Sequence, residues 1–352
     1  MDIVFRVDSS SKIGYGHLMR CLSLADALRK TLDIEIFFIC KLLKGNAEKI
    51  IEERGYKVGF IKDTSNSSKF DWSDDALKTI NFISQYRPSW LVVDNYNIDY
   101  KWHSQIRPYV SNLMVIDEKN DRNFDCDLLL DQTFDRQIWE YIDRVPEGCK
   151  ILTGSKYSLL QSEFLELRKK AISRRKGTKK IQSLLVSLGG SSLTNDYVVM
   201  ILKAINRFKW KQKPRVDIVL GDRNYISKIE ELLPGFECNV NTYVNNMWDF
   251  ILKADIAFGA GGTSIWERCC LGLPTIAIGV AENQRIALER VHKIGGLYSI
   301  GCCQKGPNEE INKAISYLLY SNDNYSSMVK QSLNVCDGQG VYRVCQIMMS
   351  NT

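Results

Sequence analysis

Short apolar runs alternate with longer amphipathic ones along this chain. Runs rich in valine, isoleucine and leucine cover Asp2–Val7, Ile34–Ile39, Trp90–Asp94, Leu113–Asp117 and Asp127–Leu130. Apolar residues at helical spacing fill the intervals, as over His17–Lys30 and Asn46–Arg54. Such runs, separated by helices, predict a parallel sheet covered on both faces. Around residues 162–180 the pattern changes. Ser162–Arg174 reads as a helix and leads into Arg174-Arg175-Lys176-Gly177-Thr178-Lys179-Lys180, a charged stretch that suits a linker, placed at 166–180. The alternation restarts with Ser183–Leu188, Val216–Leu220, Ile256–Phe258 and Thr275–Ile278, and a helical pattern from Tyr342 to Met349 ends the chain. The reading is α/β, with two doubly wound Rossmann-like halves, 1–165 and 181–352. A cleft is expected between them, and the last helix has scope to pack back. Ligands of such sheets bind beyond the carboxyl ends of the strands, and large sites form where two domains meet.

Composition narrows the class. At 352 residues, 45% hydrophobic and 25% charged, the chain suits two soluble domains. The net charge of +6 is modest and, outside Arg168–Lys180, dispersed. That argues against nucleic acid as a partner and is compatible with acidic small molecules. No apolar run reaches the roughly 18 residues that span a bilayer, and Met1-Asp2-Ile3 does not open a secretory leader. Eleven cysteines include no CxxC pair; Cys269-Cys270 and Cys302-Cys303 are adjacent, a poor spacing for zinc. With three histidines, the expectation is a cytoplasmic protein with reduced thiols and no metal or other cofactor. Nothing in the sequence fixes an oligomeric state.

The candidate chemistry starts after the first apolar run. Asp8-Ser9-Ser10-Ser11-Lys12-Ile13-Gly14-Tyr15-Gly16-His17-Leu18-Met19-Arg20 places a glycine turn between a strand and a helix. Such a turn gathers backbone N–H groups and the positive end of a helix dipole, which suits anions. An imidazole in the first turn is biased toward its neutral form, the one a general base needs. A plain tight turn explains Gly14 and Gly16 equally well locally. A dinucleotide fingerprint fits poorly, because Met19 takes its third glycine's place and Cys40-Lys41 stands where an acid is wanted.

A second such unit is Gly259-Ala260-Gly261-Gly262-Thr263-Ser264, before a helix ended by Gly272 and Pro274. Gly261, Gly262, Thr263 and Ser264 look built for a diphosphate. Glu267 reads either as the partner of a Ser264-x-x-Glu267 capping box or as a ligand contact. Ala281-Glu282-Asn283-Gln284 opens a further helix, where Asn283 and Gln284 are caps or ligand contacts. Leu188-Gly189-Gly190-Ser191-Ser192 is a third glycine turn. Asp125-Cys126-Asp127 has the form of a cation-holding DxD pair but enters a buried strand pattern, and reads as structural.

Together these segments resemble one family. The residues that carry the likeness are Gly14-Tyr15-Gly16-His17-Leu18-Met19-Arg20-Cys21, Val93-Asp94-Asn95-Tyr96, Asp125 to Gln132, Ser187-Leu188-Gly189-Gly190-Ser191, Gly259 to Ser264 with Trp266 to Pro274, and Ala281-Glu282-Asn283-Gln284. In this order they resemble the UDP-sugar hydrolase of bacterial pseudaminic acid biosynthesis, over residues 3 to about 290. The resemblance implies a two-domain GT-B fold, similar to the glycosyltransferase that makes lipid II. It implies hydrolysis of UDP-2,4-diacetamido-2,4,6-trideoxy-β-L-altropyranose by inverting water attack at the anomeric carbon, without metal, with His17 catalytic and the product serving flagellin or capsule glycosylation. Two departures are Asp117-Glu118, where two aspartates are expected, and Gln161, where arginine is expected. Neither lies in a motif assigned to chemistry, so they bear on the exact substrate more than on the reaction class.

On this reading His17 is the base, the Gly261–Ser264 turn holds the leaving UDP, and Glu267 accepts from ribose hydroxyls. Tyr96, just past the Trp90–Asp94 strand where cleft residues are expected, joins His17 as a catalytic candidate, or is a packing tyrosine in a loop. Arg20 orients the base, attracts the diphosphate, or makes a surface ion pair, for instance with Asp8. The alternatives are a GT-B glycosyltransferase with a UDP-sugar donor and a non-catalytic nucleotide-sugar-binding protein. A transferase working on a lipid-linked acceptor needs an exposed apolar or basic patch, and none stands out between the first strands.

Overall fold

In this computed structural model the described residues are 2–62, 70–85, 87–178, 180–191, 194–221, 229, 231–242, 244–303 and 308–350. The chain forms two compact units. The first runs to Leu159 and takes the chain back from Gln339; the second is Leu160–Gly338.

Unit 1 is built on β1 (Ile3–Val7), β2 (Ile36–Lys41), β3 (Lys57–Ile61), β4 (Trp90–Asp94), β5 (Asn112–Ile116), β6 (Leu128–Asp131) and β7 (Lys150–Thr153). They pair in parallel in the order 3-2-1-4-5-6-7. Every residue of β1 and β4 is buried. Their side chains alternate between two cores, as the strand period of two requires. Ile3, Phe5 and Val7 meet Leu18, Leu22, Val344 and Met348. Val4, Leu91 and Val93 join Ala76, Ile83, Trp102 and Ile106.

Unit 2 repeats the plan with β8 (Ser183–Ser187), β9 (Arg215–Leu220), β10 (Cys238–Thr242), β11 (Ile256–Ala260), β12 (Thr275–Gly279) and β13 (Tyr298–Cys302). The order is 10-9-8-11-12-13, again parallel throughout. In each sheet the strand order reverses once, between β1 and β4 and between β8 and β11.

Three expectations need correction. The sequence reading omits β3, β7, β10 and β13, which are the four edge strands. Edge strands are partly solvated, so their apolar runs are broken by polar residues, as in Cys238-Asn239-Val240-Asn241-Thr242. The segment 166–180 is not a linker over most of its length, because the helix Ser162–Gly177 continues through it as part of unit 2. Its three arginines donate to carbonyls. Arg175 is buried and donates to Ile251 O at 2.6 Å and to Ala254 O; Arg168 donates to Leu333 O and Cys336 O, both at 2.8 Å. Arginine at the carbonyl end of a helix complements its dipole.

The last helix, Gly340–Ser350, belongs to unit 1 and not to the second half, because Val341, Val344 and Met348 fill the first core. Gly340 makes this possible: a Cβ there would lie 2.4 Å from the Ser158 backbone. Among the described residues no helix is long and apolar enough to cross a membrane, and all eleven cysteines are free thiols.

Candidate active site

The expected first site lies at the carboxyl ends of β1 and β4, beside the strand reversal, where doubly wound sheets bind ligands. Ser10 shapes the turn. Its hydroxyl accepts from Ile13 N–H at 3.0 Å and its carbonyl from Gly14 N–H at 2.8 Å. Gly14 has φ +83°, a left-handed conformation that favours glycine. The helix Gly16–Thr31 then starts with His17 in its first turn, and no side chain caps that end.

His17 Nδ1 lies 2.7 Å from Asp94 Oδ1. Asp94 ends β4 and is fully buried. A carboxylate only accepts, so in the neutral imidazole the 2.7 Å contact to Asp94 places the proton on Nδ1 and the lone pair on Nε2, with the longer 3.2 Å approach of Arg20 Nη2 to Nδ1 the weaker contact. No described residue hydrogen-bonds Nε2, and the side chain keeps 21% of its surface exposed. Tyr96 stands edge-on to the imidazole, ring centres 4.8 Å apart.

Arg20 ties the cluster together. Its side chain is 1% exposed. It donates through Nε to Asp94 Oδ2 at 2.6 Å, through Nη2 to Asp94 Oδ1 at 2.7 Å, and through Nη1 to Glu118. Burial alone would raise the Asp94 carboxyl, but Arg20 and then His17 hold it below its usual range. The same opposition holds Glu118 down, with Arg20 the leading counterweight to burial. Tyr96 donates its hydroxyl to Glu118, and burial followed by Glu118 raises its pKa well above the ordinary phenol value. Tyr96 is therefore a donor. The cluster therefore sets two carboxylates, Asp94 and Glu118, against one guanidinium.

Arg20 is thus no surface residue, and Asp8 pairs with Arg6 instead. Glu118, read from the sequence as bearing on the exact substrate more than on the reaction class, lies inside the cluster, where it also accepts from Gln132 Nε2 at 3.2 Å. Its neighbour Asp117 joins Tyr141 and Arg122 in a buried network. Asp94, Glu118 and Gln132 are the functional candidates that sequence reasoning missed. A signal was present: each lies at, or within two residues of, the carboxyl end of an apolar strand. Asp125 and Asp127 are both taken by Arg107, at 2.9 and 2.5 Å. Gln161 precedes the helix Ser162–Gly177 without a side-chain cap.

In unit 2 the expected turns again follow the strands at the reversal. Gly189 follows β8 with φ +94°. Gly190 lies so close to Gly221 that a Cβ on the latter would come within 2.4 Å of the Gly190 carbonyl oxygen. Gly261 to Ser264 follow β11. The Gly261 N–H is already spent on Ile278 O and Gln284 Oε1, each at 3.1 Å, so Gly262, Thr263 and Ser264 are left as the candidate donors. Gln284 also accepts from Val280 N–H at 3.0 Å and is therefore a tie between two loops; Asn283 beside it is exposed. Arg268 lies beneath the turn, donating to Ala260 O at 2.6 Å and Ser264 Oγ at 2.9 Å.

The capping box at Ser264 is not formed, since the helix Ser264–Cys270 has no side-chain cap. No described residue hydrogen-bonds the Glu267 carboxylate. Burial raises Glu267 to about 7, opposed by Arg268. Ile13 and Leu42 are 48% and 47% exposed on the loops after β1 and β2. Those loops touch through Ser11 N–H and Lys44 O at 3.3 Å.

No family model matches the chain. It is 28% identical over 294 residues to an uncharacterized protein of Methanocaldococcus jannaschii, covering 81% of this chain and 57% of that one. It is 26% identical over 195 residues to UDP-2,4-diacetamido-2,4,6-trideoxy-β-L-altropyranose hydrolase of Campylobacter jejuni, covering 55% and 62%. The match thus spans less than two thirds of either relative. Spore coat polysaccharide biosynthesis protein SpsG of Bacillus subtilis is 21% identical over 355 residues, 99% of this chain and 98% of the relative. Among solved structures, MurG of Acinetobacter baumannii has a TM-score of 0.69 at 12% identity, covering 99% of each chain. The UDP-GlcNAc 2-epimerase of Neisseria meningitidis, bound to UDP-GlcNAc, has a TM-score of 0.65 at 10% identity, covering 100% of each. These likenesses show the fold class: two Rossmann-like, parallel α/β units of the GT-B kind.

Proposed function

We propose that this chain is a UDP-sugar-acting enzyme that hydrolyses its substrate at the anomeric carbon. The observation that carries the reading is the His17–Asp94 pair, with Nδ1 fixed and Nε2 open, at a glycine turn beside the strand reversal. In the reaction His17 Nε2 takes a proton from water as the water oxygen bonds to the anomeric carbon. The bond from that carbon to the phosphate oxygen breaks, and its electron pair leaves with UDP. Asp94 keeps the imidazole in the right tautomer and stabilises the imidazolium that forms. The Gly262–Ser264 turn supplies donors to the departing diphosphate, and Glu267 accepts from ribose. The likeness to the Campylobacter hydrolase, with the ordered motifs above, supports UDP-2,4-diacetamido-2,4,6-trideoxy-β-L-altropyranose as the substrate.

The bond that breaks is testable. In ¹⁸O-labelled water, with no acceptor, the label enters the free sugar and not UDP. The first anomer seen by time-resolved NMR is inverted, as a single displacement requires. Label in UDP overturns carbon–oxygen cleavage. A second reading, sugar transfer to an acceptor hydroxyl, is favoured by exposed Ile13 and Leu42 beside the His17 turn. An absolute requirement for an acceptor selects it.

Nucleotide binding carries its own pH signature. Hydroxyl donors favour a charged carboxylate, so bound ribose pulls Glu267 below its value of about 7 in the free protein. UDP then binds with release of a proton, and affinity falls as pH drops from 8 to 6. Titration calorimetry of Glu267→Gln shows weaker UDP binding without this dependence. An unchanged affinity and pH profile removes Glu267 from the nucleotide site.

A further inference from the structure

We propose that Cys302, Cys303 and Glu282 form a binding site for a thiophilic divalent cation of the zinc class. In a strand, neighbouring side chains point to opposite faces, which is why adjacent cysteines look unsuited to one metal. Here the alternation is broken. Cys302 ends β13, and Cys303 follows it with φ +56°, a left-handed conformation uncommon outside glycine. The turn brings the two Sγ atoms to 3.5 Å, far beyond a disulfide bond and close to the separation of two thiolates on one tetrahedral ion. With zinc–sulfur bonds of about 2.3 Å, that separation is about 3.8 Å.

Strand β12 is shaped to hold the pair. Cys303 N–H donates to Gly279 O at 2.7 Å, and Cys302 Sγ donates to Ala281 O at 3.3 Å. Gly279 has no side chain where a Cβ would lie 2.5 Å from Cys302 Sγ. The turn after β12 then brings in Glu282, and the three ligand atoms all lie within 4.8 Å of one another. Among the described residues no other group of three potential ligands is this compact. Glu282 also pairs with Arg285 at 2.6 Å, but its side chain is 70% exposed. An exposed pair is worth little, so one oxygen can turn to a metal at small cost. Three protein ligands leave a fourth position for water. Thiolates suit a borderline-soft ion better than magnesium or calcium. The ion must displace thiol protons, which burial and the neighbouring Cys303 hold on Cys302 up to about 12.

The test uses the full chain, reduced and stripped of metal, titrated with Cd²⁺ alone and followed by thiolate-to-cadmium absorption. One equivalent is expected to bind with the signal of two thiolates. Cys303→Ser lowers affinity by about 100-fold or more and Glu282→Gln by about 10-fold. Both positions are exposed, so both variants fold. Cys238→Ser, on the far edge strand, leaves binding unchanged. The proposal is overturned if the parent chain takes up no equivalent. It is equally overturned if Cys303→Ser and Glu282→Gln bind like the parent, or if Cys238→Ser removes the signal.

Discussion

Replacing His17 by asparagine is expected to lower turnover on a UDP-sugar by about 10²-fold or more while UDP still binds. The imidazole is the one group of the unit 1 cluster with a proton-accepting atom that no described residue occupies. The carboxylates there are held charged by Arg20, and Tyr96 keeps its proton and gives it to Glu118. Asparagine fits the space and can still donate to Asp94, so the variant tests chemistry more than folding. Asp94→Asn acts through the same atom. An amide at that position can donate to Nδ1, which moves the imidazole proton to Nε2 and leaves no base facing solvent. A loss on the order of 10²–10⁴ follows. Because the two residues act as one device, the double variant is expected to be no slower than the worse single variant. Additive losses, or near-parental turnover in a folded His17→Asn, remove the pair from the mechanism. UDP affinity, measured alongside, separates that outcome from damage to the nucleotide turn.

Much of this was legible in the sequence where burial is complete. The central strands read as unbroken apolar runs because both faces are covered, and Trp90–Asp94 was placed to the residue. The edge strands were not legible, since half-solvated backbone carries a mixed pattern. The helix was legible over Ser162–Arg174, and only its continuation to Gly177 was hidden in the charged run assigned to a linker. Arg168 and Arg175 look solvated in sequence, and only the fold shows the carbonyls of residues 251, 254, 333 and 336 they meet. The candidate site divides the same way. His17 and the glycine turns announce themselves through residue type and spacing. Asp94 and Glu118 come from different strands, and their convergence on Arg20 depends on strand order, which spacing does not encode. Glu118 was discounted as a departure from an aspartate pair; it is the residue that receives Arg20, Tyr96 and Gln132.

Arg20→Met is expected to cost about 3–5 kcal/mol of stability, a loss typical of one partner removed from a buried ion cluster. Arg20 and Asp94 are essentially unexposed and Glu118 keeps 16% of its side-chain surface. Without the guanidinium, two carboxylates face each other at low dielectric with only His17 to offset them. Methionine fills similar volume, so the loss reports charge and not a cavity. For a unit of this size it corresponds to roughly 6–20 °C in midpoint temperature. The pH dependence fixes the cause. Asp94 is held below its usual range in the folded state. Its contribution is therefore fully present above the unfolded carboxylate range, about pH 4–5, and is lost as pH falls through that range toward the folded value. In Arg20→Met that contribution is gone, so the deficit against the parent is largest near neutrality and shrinks on acidification. Adding Asp94→Asn and Glu118→Gln to Arg20→Met removes the stranded charges and restores part of the stability. The measurement is urea unfolding at several pH values, with hydrogen exchange of β1 and β4 amides locating the loss in unit 1. A loss under about 1 kcal/mol, or one that grows as pH falls, would mean that Arg20 does not neutralise these carboxylates. His17 would then owe its orientation to Asp94 alone.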